Sequence, residues 1–218
     1  MRVERFPAGV FDQNTWLAWC PHSLDAVAID PGAGAGDMLR KVNEDGLNLV
    51  AVLLTHAHAD HVEGLAPVRD RHPEVPIHLH PADRPLYDWA VVQAAHLGVK
   101  LRPPPPPTHE LAHGQSFRVG ESSLEVRHAP GHSPGHVILV EEDARSFAIV
   151  ADVVFSGSIG RTDLPGGDHA VLLRTIADEI LTLPDATVLH TGHGLSTSVR
   201  EERAHNPFLQ GLCPSPGR

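Results

Sequence analysis

Apolar residues in the first third of the chain come in short runs, each closed by a Gly, Pro or Asp turn. Residues 15–20 and 26–29 read as strands, and Asp30-Pro31-Gly32 breaks the second. Residues 36–44 read as a helix stopped by Gly46. Residues 49–54 are apolar throughout, as in a strand buried on both faces. A helix over 64–71 and a strand over 75–79 follow. Strand, loop, helix, strand is the rhythm of an α/β fold, whose sites gather at the C-terminal ends of strands.

The five prolines Pro103–Pro107 read as a stiff, extended surface connection. Beyond them the period shortens again, with strands expected over 117–119, 123–128, 137–141 and 146–151. Leu172, Ile176 and Ile180 give residues 171–183 a helical spacing. A short strand over 188–190 and a helix over 199–204 close the pattern. Each half is β-rich and then helical, which suggests two sheets sandwiched between helices, although no sequence repeat is visible.

Composition narrows the classes. The 218 residues are enough to bury a sizeable core, and 41% hydrophobic with 20% charged is ordinary for a soluble globular protein. A net charge of -10 argues against a nucleic-acid partner, since phosphate binding needs a basic surface. No stretch approaches the ~20 apolar residues of a membrane span, and the start lacks the apolar core of a signal peptide. The two cysteines, Cys20 and Cys213, make no disulfide framework and stand away from any histidine cluster. A reduced, cytoplasmic protein is expected, and oligomeric state leaves no mark in the sequence.

Residues 55–61, Thr-His-Ala-His-Ala-Asp-His, add chemistry to this pattern. With 17 histidines in the chain, chance alone yields such a match in roughly one chain in 150. Geometry says more. Positions i and i+2 share a side only on an extended chain, so His56 and His58 converge if they continue the preceding strand. Asp60 and His61 lie where the next helix begins and can reach a second point nearby. One pair for each of two points suits a two-metal site, with ions ~3.5–4 Å apart. Four residues cannot fill two coordination spheres, so further ligands are demanded downstream. His132, framed by Pro and Gly in residues 129–136, meets that demand. So do Asp152, closing the run 149–152, and His193, between glycines in 189–194.

As a set, T-H-A-H-A-D-H, the G-H of P-G-H-S-P-G-H, A-D at 151–152 and T-G-H-G closely resemble the metallo-β-lactamase superfamily over nearly the whole chain. The resemblance implies one domain over residues 1–218, a four-layer αββα sandwich with a metal pair between its sheets. It assigns His56, His58 and His132 to the first ion, and Asp60, His61 and His193 to the second. Asp152 bridges both. The carboxylates Asp60 and Asp152 are the candidate catalytic residues. Imidazole and carboxylate donors suit two divalent cations, with zinc foremost and iron or manganese as alternatives. One oxygen of Asp152 is expected for each ion, and a water between two cations is expected to be a hydroxide near neutral pH. His136, close by in sequence, is a candidate for orienting a ligand. Asp30 either supports the metal loop, as the resemblance implies, or forms a turn before Pro31-Gly32. His78 and His80 alternate on a strand without a partner motif, so no metal is expected there.

Three features choose a branch. Gly160-Arg161-Thr162-Asp163 resembles a segment of glyoxalase II-type proteins. Glu202-Arg203-Ala204-His205-Asn206-Pro207-Phe208-Leu209 is similar to the ending of their short bacterial forms. Asp152 occupies a bridging position that antibiotic-cleaving zinc enzymes lack. The resemblance therefore implies a hydroxyacylglutathione hydrolase, splitting S-D-lactoylglutathione into D-lactate and glutathione. The thiolate leaves with a pKa near ~8.5 and needs little or no general acid. Longer relatives grip glutathione with a basic helical domain that this sequence does not carry, which puts the thiol carrier in doubt. Arg161, Arg200 and Arg203 are candidates for a substrate carboxylate or for structural ion pairs. A mononuclear iron persulfide dioxygenase and a lactonase are the alternatives.

Overall fold

The structure is a computed structural model that describes residues 1–212; Cys213 lies outside the described residues. The first sheet contains β1 (Arg2–Ala8), β2 (Gln13–Trp19), β3 (Asp25–Ile29), β4 (Asn48–Leu53), β5 (Ile77–Leu79) and β6 (His109–Glu110), in that spatial order. The first three pair antiparallel, and β3 to β6 pair parallel. Between its strands run α1 (Ala35–Glu44), α2 (Ala59–Val62), α3 (Leu65–Arg71), α4 (Arg84–Asp88) and α5 (Ala90–His96). The second sheet is built from β7 (Ser116–Val119), β8 (Ser122–His128), β9 (Val137–Glu141) and β10 (Phe147–Ala151). The hairpin β11 (Val154–Phe155) and β12 (Ser158–Ile159) stands apart, and β13 (Val188–Thr191) with β14 (Thr197–Ser198) completes the second sheet beside β10. Its helices are α6 (His169–Thr175) and α7 (Val199–His205).

The strand period of two sorts each strand's residues into separate cores. Trp16, Ala18, Val27, Ile29, Ala51 and Leu53 of the first sheet meet Val137, Leu139, Phe147 and Ile149 of the second in one buried cluster. Their neighbours Leu17, Ala26, Ala28 and Val52 face the other way, against Met38, Leu39 and Val42 of α1 and Leu65 and Val68 of α3. Ile138, Val140, Ala148 and Val150 turn likewise toward Leu172, Ile176 and Ile180. The three clusters separate four layers, the expected αββα sandwich. The apolar run at 49–54 supplies both the seam and the outer core, which is why it needed no polar face.

Local chemistry sets the ends of elements. Gly46, at φ +64, stops α1. Asp168 caps α6 through its Val171 N–H (3.0 Å), and Ser198 caps α7 through Glu201 N–H (3.2 Å). Two expectations change. The helix expected over 171–183 is α6 followed by one π-helical segment, Ile176–Ile180, which keeps the apolar residues facing the sheet. Strand β1 escaped notice because it is an edge strand that contains Pro7, with little alternation to read. The proline run forms neither helix nor strand, and the Tyr87 hydroxyl donates to the Pro105 carbonyl. No helix among the described residues is long and apolar enough to cross a membrane.

Parallel pairing decides where the loops go. β3 runs parallel to β4, and β10 parallel to β13, so Asp30, residues 55–61, Asp152 and residues 192–194 emerge close together. The Val137 N–H donates to Thr55 O and the Asn14 N–H to Gly192 O, both at 2.8 Å, tying the sheets there. Leu53→Ala, fully buried in the seam, should destabilise the protein by about 2–5 kcal/mol in urea unfolding. A loss below about 1 kcal/mol would show that the seam closes around the gap.

Candidate metal centre

His56 and His58 follow β4 across a bend at Thr55, and His58, extended at φ -69 and ψ 150, stands at the N-terminal boundary of α2. Asp60 and His61 then stand on the first turn of that helix. The change of backbone between the pairs sends them to different points. His56, His58 and His132 each offer a donor atom, and these atoms lie within 4.8 Å of one another. Asp60, His61 and His193 do the same within 4.8 Å. Between the triads lies Asp152, with Oδ2 3.5 Å from His132 Nε2 and 3.5 Å from His193 Nε2. Its Oδ1 is 3.4 Å from His61 Nε2.

Most of the rings are anchored through one nitrogen and aimed with the other. His61 Nδ1 donates to Asp30 Oδ2 (3.0 Å), His132 Nδ1 to the Arg161 carbonyl (2.8 Å) and His193 Nδ1 to the Phe11 carbonyl (2.9 Å). His56 Nδ1 contacts Thr55 Oγ1 at 3.1 Å. What remains is telling: His56 Nε2, His61 Nε2 and Asp152 Oδ1 are buried with no hydrogen-bond partner. Orphaned polar atoms at the end of a core are costly unless something satisfies them. Three converging lone pairs of this chemistry suit a divalent metal ion.

Burial keeps His56 and His58 of the first triad neutral. It holds the His56 imidazole well below its usual value and His58 at about 3, so both present lone pairs. Burial also pulls on His61 and His193, but the Asp152 carboxylate outweighs it and raises both, His61 well above the usual range. Burial pushes the Asp152 carboxyl up, and the facing His61, His193 and His132 rings outweigh it, holding that group well below the carboxylate range.

Asp30 supports the loop rather than merely turning the chain. Its Oδ1 accepts from Thr55 N–H (2.7 Å), and its Oδ2 accepts from the Thr55 hydroxyl (2.5 Å) as well as from His61. It also groups with His56 and His61 as a potential metal set, but those bonds already occupy its oxygens. His136 is wholly buried, stacks on His56 at 4.7 Å and accepts the Asp152 N–H at Nε2 (3.3 Å). Arg161 lines the cleft over the cage, its guanidinium paired with Asp163 at 2.7 and 2.8 Å. Arg203 is not brought to the cleft: it donates to Leu181 O (2.6 Å) and pairs with Asp185 (3.3 Å). His78 stacks on His109 and His80 on His128, in no metal-capable group among the described residues.

Sequence reasoning missed the braces. Asp83, fully buried, accepts from Ala57 N–H (3.0 Å), the Ser133 hydroxyl (2.8 Å) and Gly135 N–H (2.5 Å), so one carboxylate clamps both histidine loops. Its only sequence signal is that of a helix cap before Arg84-Pro85. Asn14 donates to Thr191 O and Gly194 O, both at 2.9 Å, and holds the His193 loop. Gly192 is required by crowding: a Cβ there would lie 1.9 Å from Asp152 Oδ1.

Residues 8–193 match the family profile of the metallo-beta-lactamase superfamily. The chain belongs to that superfamily. It is 35% identical over 211 residues to hydroxyacylglutathione hydrolase GloC of Haemophilus influenzae, covering 96% of this chain and 98% of that protein. The crystal structure of BLEG-1 B3 metallo-beta-lactamase superposes with a TM-score of 0.88 at 36% identity, covering 96% of this chain and 100% of that one. TTHA1623 in a di-iron-bound form superposes at 0.86 and 37% identity, covering 94% and 100%.

Asp83→Ala strips three donors of their acceptor and should cost about 2–4 kcal/mol in chemical denaturation. Amide exchange should quicken at Ala57 and Gly135. Unchanged exchange at both would mean that the clamp is not what holds the loops.

Proposed function

We propose that this superfamily member is a metal-dependent thioester hydrolase holding two divalent cations. One observation carries the reading: a single oxygen, Asp152 Oδ2, stands 3.5 Å from a ring nitrogen of each triad. His56, His58 and His132 would hold one ion, and Asp60, His61 and His193 the other. Asp152, with Oδ2 near a ring of each triad and Oδ1 facing His61, would be shared between the two ions. Zinc, iron and manganese all accept this donor set, and the di-iron form of TTHA1623 makes iron as pertinent as zinc. Bound there, such a pair supplies Lewis acidity and lowers the pKa of water toward neutrality.

The chain's own residues do the positioning. Asp30, Thr55, the Arg161 carbonyl and the Phe11 carbonyl fix the rings, and His136 holds the Asp152 backbone. The cleft above the cage has a volume of about 420 Å³ and walls that shield the reacting group from water. A thiolate leaving group, with a pKa near ~8.5, departs without a proton donor. That suits a cleft whose one guanidinium, Arg161, is already paired. The name of GloC and the G-R-T-D and E-R-x-x-N-P-F-L segments make S-D-lactoylglutathione the first substrate to test. A persulfide dioxygenase needs one iron, whereas three further donors converge beside the first triad.

Metal content and turnover should be measured together, on lactoylglutathione, glutathione persulfide, a lactone and a β-lactam. Two metals per chain with thioester cleavage are expected. One iron per chain, oxygen consumption on the persulfide and no thioester cleavage would sink the hydrolase reading. Asp152→Ala should lose metal and about 100-fold or more in kcat/KM.

Acidification should separate the two ions. A ring with a raised pKa must shed its proton before it can bind a cation, so the second triad fills more readily as pH rises and empties first as pH falls. The neutral His56 and His58 face no such competition. Dialysis at about pH 7.5, 6.5 and 5.5 should take the protein from two metals toward one before none. Parallel loss of both ions would contradict this order.

A further inference from the structure

Two clefts meet at the cage, and Asp152, Arg161 and His193 belong to both. The first leads to α4 and α5, walled by Phe11, Leu86, Trp89, Leu97, Leu164 and Pro165. The second opens between the β11–β12 hairpin and the loop after β13, along Phe155, Ser156, Ser158, Ile159, Gly194 and Leu195. Serines and a glycine interrupt its apolar residues, whereas large apolar side chains are more numerous on the first. On the first, Gln93 spends its amide on the Leu86 carbonyl (2.8 Å), Arg161 is paired with Asp163, and the His96 ring lies against Trp89. Trp89 and Leu97 nevertheless stand 42% and 54% exposed, while Ala90 and Ala94 of the same helix are buried. Large apolar side chains left uncovered on the wall of a site are surface that a ligand can cover.

On the thioester hydrolase reading, we propose that the α4–α5 arm receives the acyl group and selects an apolar chain of several carbons. The thiol carrier then lies in the second, more open arm. A thioester seated at the cage has two substituents, and two arms diverge from it. A peptide thiol such as glutathione carries carboxylates and an ammonium group, which lose hydration along a wall with no free cation. An aliphatic chain gains by covering Trp89, Leu97 and Leu86. A lactoyl group, small and hydroxylated, leaves most of that wall bare.

Two readouts test this on the metal-loaded full chain. The first is binding of acetate, butanoate, hexanoate and octanoate, followed by tryptophan fluorescence. Trp16 and Trp19 are buried, so the response reports Trp89 and should vanish in Trp89→Phe. Affinity should rise about two- to fourfold per methylene. The second is kcat/KM on the S-acetyl, S-butanoyl, S-hexanoyl and S-D-lactoyl thioesters of glutathione, which should rise by the same factor, with lactoyl near acetyl. Leu97→Ser should flatten both series and Trp89→Ala the kinetic one, whereas Val92→Ser, on α5 but outside the cleft lining, should flatten neither. Thioester cleavage without a chain-length slope would overturn the acyl arm and leave the hydrolase reading standing. A slope in binding with no thioester cleaved would overturn the hydrolase reading and keep the apolar arm. Equal flattening by Val92→Ser would trace the slope to helix stability and overturn the assignment.

Discussion

An imidazole ring buried away from water must find something for both of its nitrogens, and this requirement organises the open end of the seam. Each ring can donate through one nitrogen, and here the donations go to Asp30, to the Phe11 and Arg161 carbonyls and to Thr55. The other nitrogens are left turned inward on one small volume, together with an unpartnered carboxylate oxygen of Asp152. Such an arrangement is unfavourable by itself. It persists because the surrounding structure over-determines it: two packed sheets below, Asp83 clamping two loops from one side and Asn14 holding a third from the other.

Backbone strain enters at the same places. Asp30 and Ala151 both adopt positive φ, +47 and +41, where side chains rarely sit. Each lies at the end of a strand that points at the cage, and each re-aims the chain there. The register shift between Ile149 and Ala151 on β10 has the same consequence for Asp152. Strain at these turns is held by the sandwich core and concentrated where the candidate ligands are set.

Much of this was legible in the sequence, for identifiable reasons. The apolar runs at 49–54, 137–141 and 146–151 follow directly from burial between layers. The spacing of His56, His58, Asp60 and His61 encodes the change from extended chain to helix, so it announced two points rather than one. His136 was marked only by proximity, and the structure stacks it on His56. Asp83 and Asn14 were not legible, because their role is to accept or donate across loops that are distant along the chain. Helices α4 and α5 were overlooked as well, being short and half exposed. They turned out to supply one wall of the cleft.

By itself, then, the sequence determined the layers and the candidate donor types. Periodicity and residue chemistry are local properties, and both are written in runs of a few residues. Only the tertiary structure decided which oxygen of Asp152 faces both triads, and that Asp30 braces the loop. It alone parted Arg161, at the cleft, from Arg203, turned toward Leu181 and Asp185. These outcomes depend on how parallel strands from two sheets bring their ends together, and no local pattern carries that distance.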